Sequence, residues 1–241
     1  MVKNNFLEIE VTRENKSIPV ASVISTYSQV EEQAGWHPFP WLSDSERLVY
    51  EGYTAHKRKR EYLLGRYAAK KAASVLLGES DYKKISILSG VFNQPVLYHH
   101  NNKHNIQVSI THAASKGAAI AFPETHPMGI DIEKVEGKLE DSLKSVMTNE
   151  DLTQLYDHLL LNVTGLTLSW SAKEALSKVL RTGFTVSPYL YAIKSMQQME
   201  NVYILEFKEF HQYKVVSWFF ADYVGSICLP KRSHLKLHRV L

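Results

Sequence analysis

Residues 56–78 read HKRKREYLLGRYAAKKAASVLLG. Within them Leu63, Leu64, Tyr67, Ala68, Ala72, Val75 and Leu76 recur every three or four residues, the period that places side chains on one helical face. An amphipathic helix is predicted over about 59–77, with Gly78 placed to end it. Outward from this helix the pattern changes. Residues 85–88, 106–110 and 118–122 read as short strands, with His99-His100-Asn101-Asn102 as a turn-rich link. Pro123-Glu-Thr-His-Pro127 breaks the pattern and marks a boundary. The second half repeats the style. Residues 129–133 read as a strand, 139–161 as mostly helical, and a further helix begins near Leu168, runs to Leu180 and is closed by Gly183. Strands follow at 202–210, 213–219 and 223–229, rich in β-branched and aromatic residues. Helices with antiparallel strands in each half predict an α+β class. The expected division is an N-terminal subdomain over 1–123 and a C-terminal one over 124–241. No sequence-level repeat and no low-complexity segment is visible.

The 241 residues carry 28 Lys+Arg against 25 Asp+Glu, a formal charge of +3. Hydrophobic residues at 44% and charged residues at 22% are ordinary globular values, which excludes disorder, collagen and coiled coil. The single cysteine, Cys228, excludes an intramolecular disulfide and any cysteine-based zinc cluster. The first ten residues show no apolar signal region, and the most apolar stretch, 218–229, is short and contains Asp222. A cytoplasmic protein without membrane association is expected. The charge is polarised along the chain: seven Lys/Arg and one acid between His56 and Lys71, and eight acids against three lysines between Glu124 and Asp151. Such runs read either as solvated faces or as a cationic surface for phosphate beside an anionic one for a metal or basic partner.

Three motifs can carry chemistry. In Gly129-Ile130-Asp131-Ile132-Glu133 the alternation of a strand puts Asp131 and Glu133 on one face, about 7 Å apart along the chain. Two carboxylates so placed suit Mg²⁺, which takes one or two of them with water and phosphate; the alternative is an ordinary half-exposed strand. In Trp170-Ser-Ala-Lys-Glu-Ala-Leu-Ser-Lys178, the residues Trp170, Glu174 and Lys178 lie four apart on one helical stripe. This pairs a carboxylate with an ammonium, either as a solvated ion pair or as a metal ligand or proton acceptor beside a phosphate-neutralising cation. In Val108-Ser109-Ile110-Thr111-His112-Ala113 a strand ends in a hydroxyl and an imidazole that can bond phosphate or serve the structure alone. No Walker loop, dinucleotide fingerprint, HExxH or GxSxG is present.

The order of these pieces resembles the 4′-phosphopantetheinyl transferases. It runs from Leu64-Gly65-Arg66 through Asn93-Gln94-Pro95, Ser109-Ile110-Thr111-His112 and Gly129–Glu133 to Trp170–Lys178. The resemblance covers roughly 42–185, and the length is similar to that of the monomeric, surfactin-synthetase-activating type, whose chain is two similar halves with an active site at their interface. It implies transfer of the phosphopantetheine arm of coenzyme A to a serine of an apo acyl, peptidyl or aryl carrier protein, releasing adenosine 3′,5′-bisphosphate. By the same resemblance Asp131, Glu133 and Glu174 hold Mg²⁺. Glu174 takes the serine proton directly or through water, and Lys178 stabilises the phosphates. Thr111 and His112 bind the 3′-phosphate, and Lys57 and Gln94 stand at cofactor-side positions. The chain departs from the family pattern in Asn93-Gln94-Pro95 for Gly-Lys-Pro, in Ala113 for a second hydroxyl, and in Arg181-Thr182-Gly183-Phe184 for a more glycine-rich turn.

The residues agree with such chemistry on their own terms. Phosphoryl transfer needs positioning and charge stabilisation more than a covalent catalyst, so the absence of a nucleophile motif is expected when the nucleophile arrives on the partner. Two other readings stay open from the sequence: a different Mg²⁺-dependent phosphoryl or nucleotidyl transferase, and a non-catalytic module whose basic helix contacts nucleic acid.

Overall fold

A computed structural model describes residues 7–32 and 39–238. Residues 1–6 of the segment read for a targeting signal lie outside them. The described residues form two compact units, one running to Pro127 and taking in the segment from His234 onward, the other spanning Met128–Ser233. The sequence reading instead ends the first unit at 123 and gives all of 124–241 to the second.

The first unit contains β1 (Ile9–Arg13), β2 (Lys16–Ser17), β3 (Ala21–Thr26), α1 (Tyr27–Glu32), α2 (Asp44–Gly52), α3 (His56–Leu77), β4 (Ser86–Ser89), β5 (Pro95–Tyr98), β6 (Ile106–Ala113) and β7 (Lys116–Pro123). The second contains β8 (Gly129–Lys134), α4 (Glu140–Lys144), α5 (Asn149–Asp157), α6 (Val163–Leu180), β9 (Ile193–Met199), β10 (Val202–Phe207), β11 (Tyr213–Phe220) and β12 (Tyr223–Pro230). A last strand, β13 (Ser233–Leu237), returns to form the sheet β13-β1-β2. The α+β class holds, with antiparallel pairing between β1 and β2, between β4 and β5, and throughout the β3-β7-β6 and β8-β12-β11-β10-β9 sheets.

The two units follow one plan. In each, a strand leads through three helices into four strands, and the first strand pairs with the last. The second unit closes this into a continuous sheet, β8-β12-β11-β10-β9; the first interrupts it, leaving β3-β7-β6 and the hairpin β4-β5. The same buried ion pair anchors both long helices. Ser43 and Glu46 form a capping box at the start of α2, and the buried Glu46 carboxylate meets the buried Lys70 ammonium of α3 at 2.5 Å. Thr148 and Asp151 form the capping box of α5, and the Asp151 carboxylate is bonded to the Lys173 ammonium of α6, both fully buried. Each carboxylate also accepts from the backbone of the next strand or its edge, Ile87 N at 3.0 Å and Ile193 N at 2.8 Å. Each lysine reaches the carbonyl two residues before the cap, Trp41 at 2.9 Å and Val146 at 3.5 Å. A repeat invisible as residue identity is therefore present as a repeated physical device.

Both cores lie where a long helix meets its sheet. Ala68, Ala69, Ala72 and Ala73 of α3 pack with Val23, Ile87, Val108 and Ala121; small side chains let the helix approach closely. In the second unit Leu168, Ala172, Ala175 and Leu176 of α6 pack with Leu205, Val215, Val224 and Cys228. Cys228 is buried there, and its thiol is pushed well above the ordinary value by burial. Among the described residues no helix is long and apolar enough to cross a membrane.

Several expected boundaries move. The α3 helix begins at His56 rather than near 59, because its first turn is charged and carries no apolar periodicity. The expected 139–161 helix breaks at the Thr148 cap, whose hydroxyl accepts from Asp151 N. The α6 helix starts at Val163, five residues before the expected Leu168, with Asn162 as its cap. It ends on Arg181, left-handed at φ 57°, rather than on Gly183.

Candidate functional site

The second unit brings three carboxylates and a lysine together through β8 and α6. Ile130 and Ile132 fill one face of β8, and Asp131 on the other is only 2% exposed. The strand is thus not the half-exposed one its alternation allows. Gly129 explains the close approach of α6: a Cβ there would lie 2.2 Å from the Ala175 carbonyl oxygen. At one end of the stripe Lys178 Nζ donates to Asp131 Oδ1 at 2.7 Å and to the Ile130 carbonyl at 3.0 Å. One turn back is Glu174, and at the other end Trp170 lines one pocket with Glu133. Trp170, Glu174 and Lys178 share a stripe as expected, but Lys178 engages Asp131 across the strand.

Crowding like charges in a poorly solvated place raises carboxyl pKa values. Burial pushes Glu133 up to about 8, reinforced by repulsion from Asp131 and then Glu174. Glu174 rises to about 7, again by burial first and then by Asp131, with Lys178 opposing. These hard oxygen donors suit Mg²⁺ by type, and their repulsion is what a divalent cation relieves. Among the described residues no three His, Cys, Asp or Glu side chains form a ready ligating cluster.

Lys173, the neighbour of Glu174 in sequence, takes no part in this group. Its ammonium is fully buried against Asp151 and also donates to the Pro188 carbonyl at 3.4 Å. Burial lowers its pKa, with Asp151 opposing. Next to the carboxylates, Glu133 and Trp170 line a mostly apolar pocket of about 300 Å³ with Leu139, Leu143, Val146 and Thr167.

The first unit carries a separate cleft of about 420 Å³. Arg58, Tyr62, Gly65 and Arg66 of α3 line one side, and Asn93, Pro95, Ile110 and His112 come from the hairpin and β6. The Arg66 guanidinium lies 4.7 Å from the Tyr62 ring centroid, and that of Arg58 lies 5.9 Å from Tyr53. Both cations lie over tyrosine rings, and Glu61, which also lines the cleft, approaches Arg58 at 3.8 Å.

Not every expected cofactor-side residue reaches this cleft. Ile110 and His112 line it, so by strand alternation the buried Thr111 faces the other way. Gln94 turns its amide oxygen to the Phe92 N–H at 2.9 Å, bracing the β4–β5 turn, while its neighbours Asn93 and Pro95 line the cleft. Asn93 itself sits at φ 61°, which explains why asparagine serves where a glycine is usual. Lys57 is 88% exposed and pairs with Glu61 at 3.8 Å, one turn along α3. Arg58 and Arg66, which sequence reasoning left out of the site, are the cations that line it. Their signal was present: with Tyr62 and Gly65 they fall at helical spacing on one face.

Residues 127–228 match the family model of the 4′-phosphopantetheinyl transferase superfamily, ACPS. No curated protein matches the chain in sequence. Among solved structures, the chain is similar to a holo-(acyl-carrier-protein) synthase from Bacillus anthracis in complex with CoA (3′,5′-ADP). That likeness has 20% identity, covers 49% of this chain and 96% of the other, and has a TM-score of 0.37. It is similar to the Helicobacter pylori holo-[acyl-carrier-protein] synthase in complex with coenzyme A at 20% identity, covering 44% and 100%, TM-score 0.36. It is also similar to the holo-ACP-synthase of Plasmodium yoelii at 17% identity, covering 47% and 95%, TM-score 0.38. The matched segment, under half of the chain, runs through Asp131, Glu133, Glu174 and Lys178.

Proposed function

We propose that the chain transfers the 4′-phosphopantetheine arm of coenzyme A to a serine of an apo carrier protein, releasing adenosine 3′,5′-bisphosphate. The observation that carries this reading is the coincidence of the family match with the group formed by the buried Asp131 and the half-buried Glu133, Glu174 and Lys178. In this reading Asp131, Glu133 and Glu174 hold Mg²⁺, with water and phosphate oxygens completing its shell. Bound there, the ion supplies charge neutralisation and a template for the pyrophosphate. Glu174, between Trp170 and Lys178 on the stripe of α6, is suited to take the proton of the attacking serine hydroxyl directly or through water, worth about 10²–10⁴-fold in rate. Lys178 neutralises developing phosphate charge and keeps Asp131 oriented. In the first unit Arg58, Arg66 and His112 bind phosphate, with Tyr53 and Tyr62 offering flat apolar surface to the nucleotide.

The reading includes a monomer acting in the cytoplasm, consistent with one buried cysteine and no disulfide. Nucleic acid is the weaker partner for α3, since Lys70 is buried in an ion pair and Lys59 and Arg60 lie over Tyr50 and Tyr27 at 5.2 and 4.3 Å. The test incubates the protein with coenzyme A, Mg²⁺ and apo carrier proteins of fatty acid, polyketide and peptide synthesis, followed by intact mass. Gain of one phosphopantetheine arm is expected on at least one carrier; no gain on any of them refutes the reading.

A further inference from the structure

We propose that Glu61 determines specificity for a ribonucleotide: its carboxylate accepts a hydrogen bond from the free 2′-hydroxyl that adjoins the 3′-phosphate of coenzyme A. The inference rests on the reading above that the cleft of the first unit takes the nucleotide end of coenzyme A.

A carboxylate is unexpected in a phosphate cleft, yet Glu61 lines this one together with Arg58, Arg66 and His112. Its charge repels phosphate, so its place there needs another reason. A solvated ion pair on the surface of α3 is the simplest alternative, and the geometry argues against it. Lys57, one turn before, has a side chain 88% exposed, whereas that of Glu61 is only 18% exposed. Lys57 and Arg58 both stop 3.8 Å from the carboxylate. A charge-assisted hydrogen bond spans about 2.7–2.9 Å. Among the described residues no N–H or O–H group lies within hydrogen-bond distance of the Glu61 carboxylate. An acceptor turned into a cleft with its lone pairs unused is matched to a donor on the ligand.

Distance selects the donor. Arg58 is the cleft cation beside Glu61, so a phosphate held by Arg58 and a donor held by Glu61 must be neighbours in the ligand. In coenzyme A the 2′-hydroxyl stands on the carbon next to the one that carries the 3′-phosphate, and the ribose ring holds the two cis. The adenine 6-amino group lies at the far edge of the base. The pantoyl hydroxyl is separated from its phosphate by a quaternary carbon on a flexible chain. Only the ribose thus presents a phosphate and a donor as a fixed pair, the complement of a fixed guanidinium and carboxylate. The cleft has room for the sugar at this point. Gly65, one turn after Glu61, lines the wall without a side chain, and a Cβ there would lie 2.8 Å from Ile110 Cγ2.

The test is calorimetric titration of wild type and Glu61→Met with adenosine 3′,5′-bisphosphate and with its 2′-deoxy analogue. Both lack the pantoyl group and differ in one hydroxyl. Wild type is expected to bind the ribonucleotide about ten- to a hundredfold more tightly, the range for a hydrogen bond to a charged group. In Glu61→Met the two should bind within about threefold of each other, whatever the change in absolute affinity. A carboxylate that serves only as counter-ion to Arg58 predicts otherwise: its removal tightens both bisphosphates alike, and a ratio unchanged from wild type overturns the proposal. Equal binding of the two by wild type overturns it as well. Should Glu61→Met not fold, the Glu61 carboxyl ¹³C resonance of wild type decides. It is expected to shift further with the ribonucleotide than with the deoxy analogue, and identical shifts overturn the proposal. Wild-type protein that binds neither bisphosphate removes the coenzyme A reading of the cleft itself, an outcome distinct from the others.

Discussion

Replacing Lys173 with methionine removes an ammonium while keeping most of the side-chain volume. Both members of the Lys173–Asp151 pair are fully buried, so the variant leaves the Asp151 carboxylate facing an apolar chain in a poorly solvated interior. Its remaining donors are the Thr148 and Ile193 backbone N–H groups, at 2.7 and 2.8 Å. Removing one partner of a buried pair typically costs about 3–5 kcal/mol, because the other charge stays desolvated. Natural domains are stable by only about 5–15 kcal/mol, so this is a large fraction of the total. With a urea m-value of about 2 kcal/mol/M for a unit of this size, the midpoint should fall by about 1.5–2.5 M. Urea melts followed by far-ultraviolet circular dichroism measure that shift, and Lys70→Met, at the equivalent pair, should give one of similar size. Transfer activity at low temperature should fall less than threefold, since Lys173 is directed to α5 and not to Asp131 or Glu133. A midpoint shift below about 0.5 M, or a hundredfold loss of kcat in a fully folded variant, would refute the assignment of Lys173 as a structural clamp.

Other expectations follow from the site. Asp131→Asn should lower kcat by at least about a hundredfold while near-ultraviolet circular dichroism stays native, since it removes the charge that Lys178 engages and that the proposed cation would share; retained turnover would take Asp131 out of the mechanism. Glu133 and Glu174, with folded pKa values near 8 and 7 against an ordinary 4.5, bind more protons folded than unfolded between those limits. Stability of the metal-free protein, measured as Tm relative to Glu133→Gln, should therefore fall as pH rises through that window. Saturating Mg²⁺ should raise wild-type Tm more at pH 8 than at pH 6, because the cation needs ionised ligands; an increment independent of pH would contradict the grouping. His112→Ala should raise the coenzyme A KM about tenfold through loss of a charge-assisted bond, leaving kcat within a few fold. An unchanged KM would remove His112 from the cofactor cleft.

Much of the second unit's site is legible along the chain because its members obey short periods. A strand's period of two joins Asp131 to Glu133, and a helix's near-four period joins Trp170, Glu174 and Lys178. The cofactor-side residues are less legible. Thr111 and His112 are adjacent in sequence and for that reason face opposite ways on a strand, while Gln94 satisfies the local turn that its own backbone makes. Arg58 and Arg66 were hidden among seven cations whose environments differ sharply: Lys70 is fully buried, whereas Lys57 is exposed.

By itself the sequence determined the class of structure, the polarity of its charge and the pairs of residues that share a face. Those depend on local geometry, and local geometry is set by spacing. Only the tertiary structure decided that Lys178 meets Asp131 across 47 positions, that Lys173 turns inward to Asp151, and that the same buried ion pair recurs in both units. These depend on burial, which no single residue announces. Lys70 and Lys173 read as helix-surface cations until packing withdraws water from them. At that point each must have a carboxylate, and Glu46 and Asp151 are where the capping boxes put one.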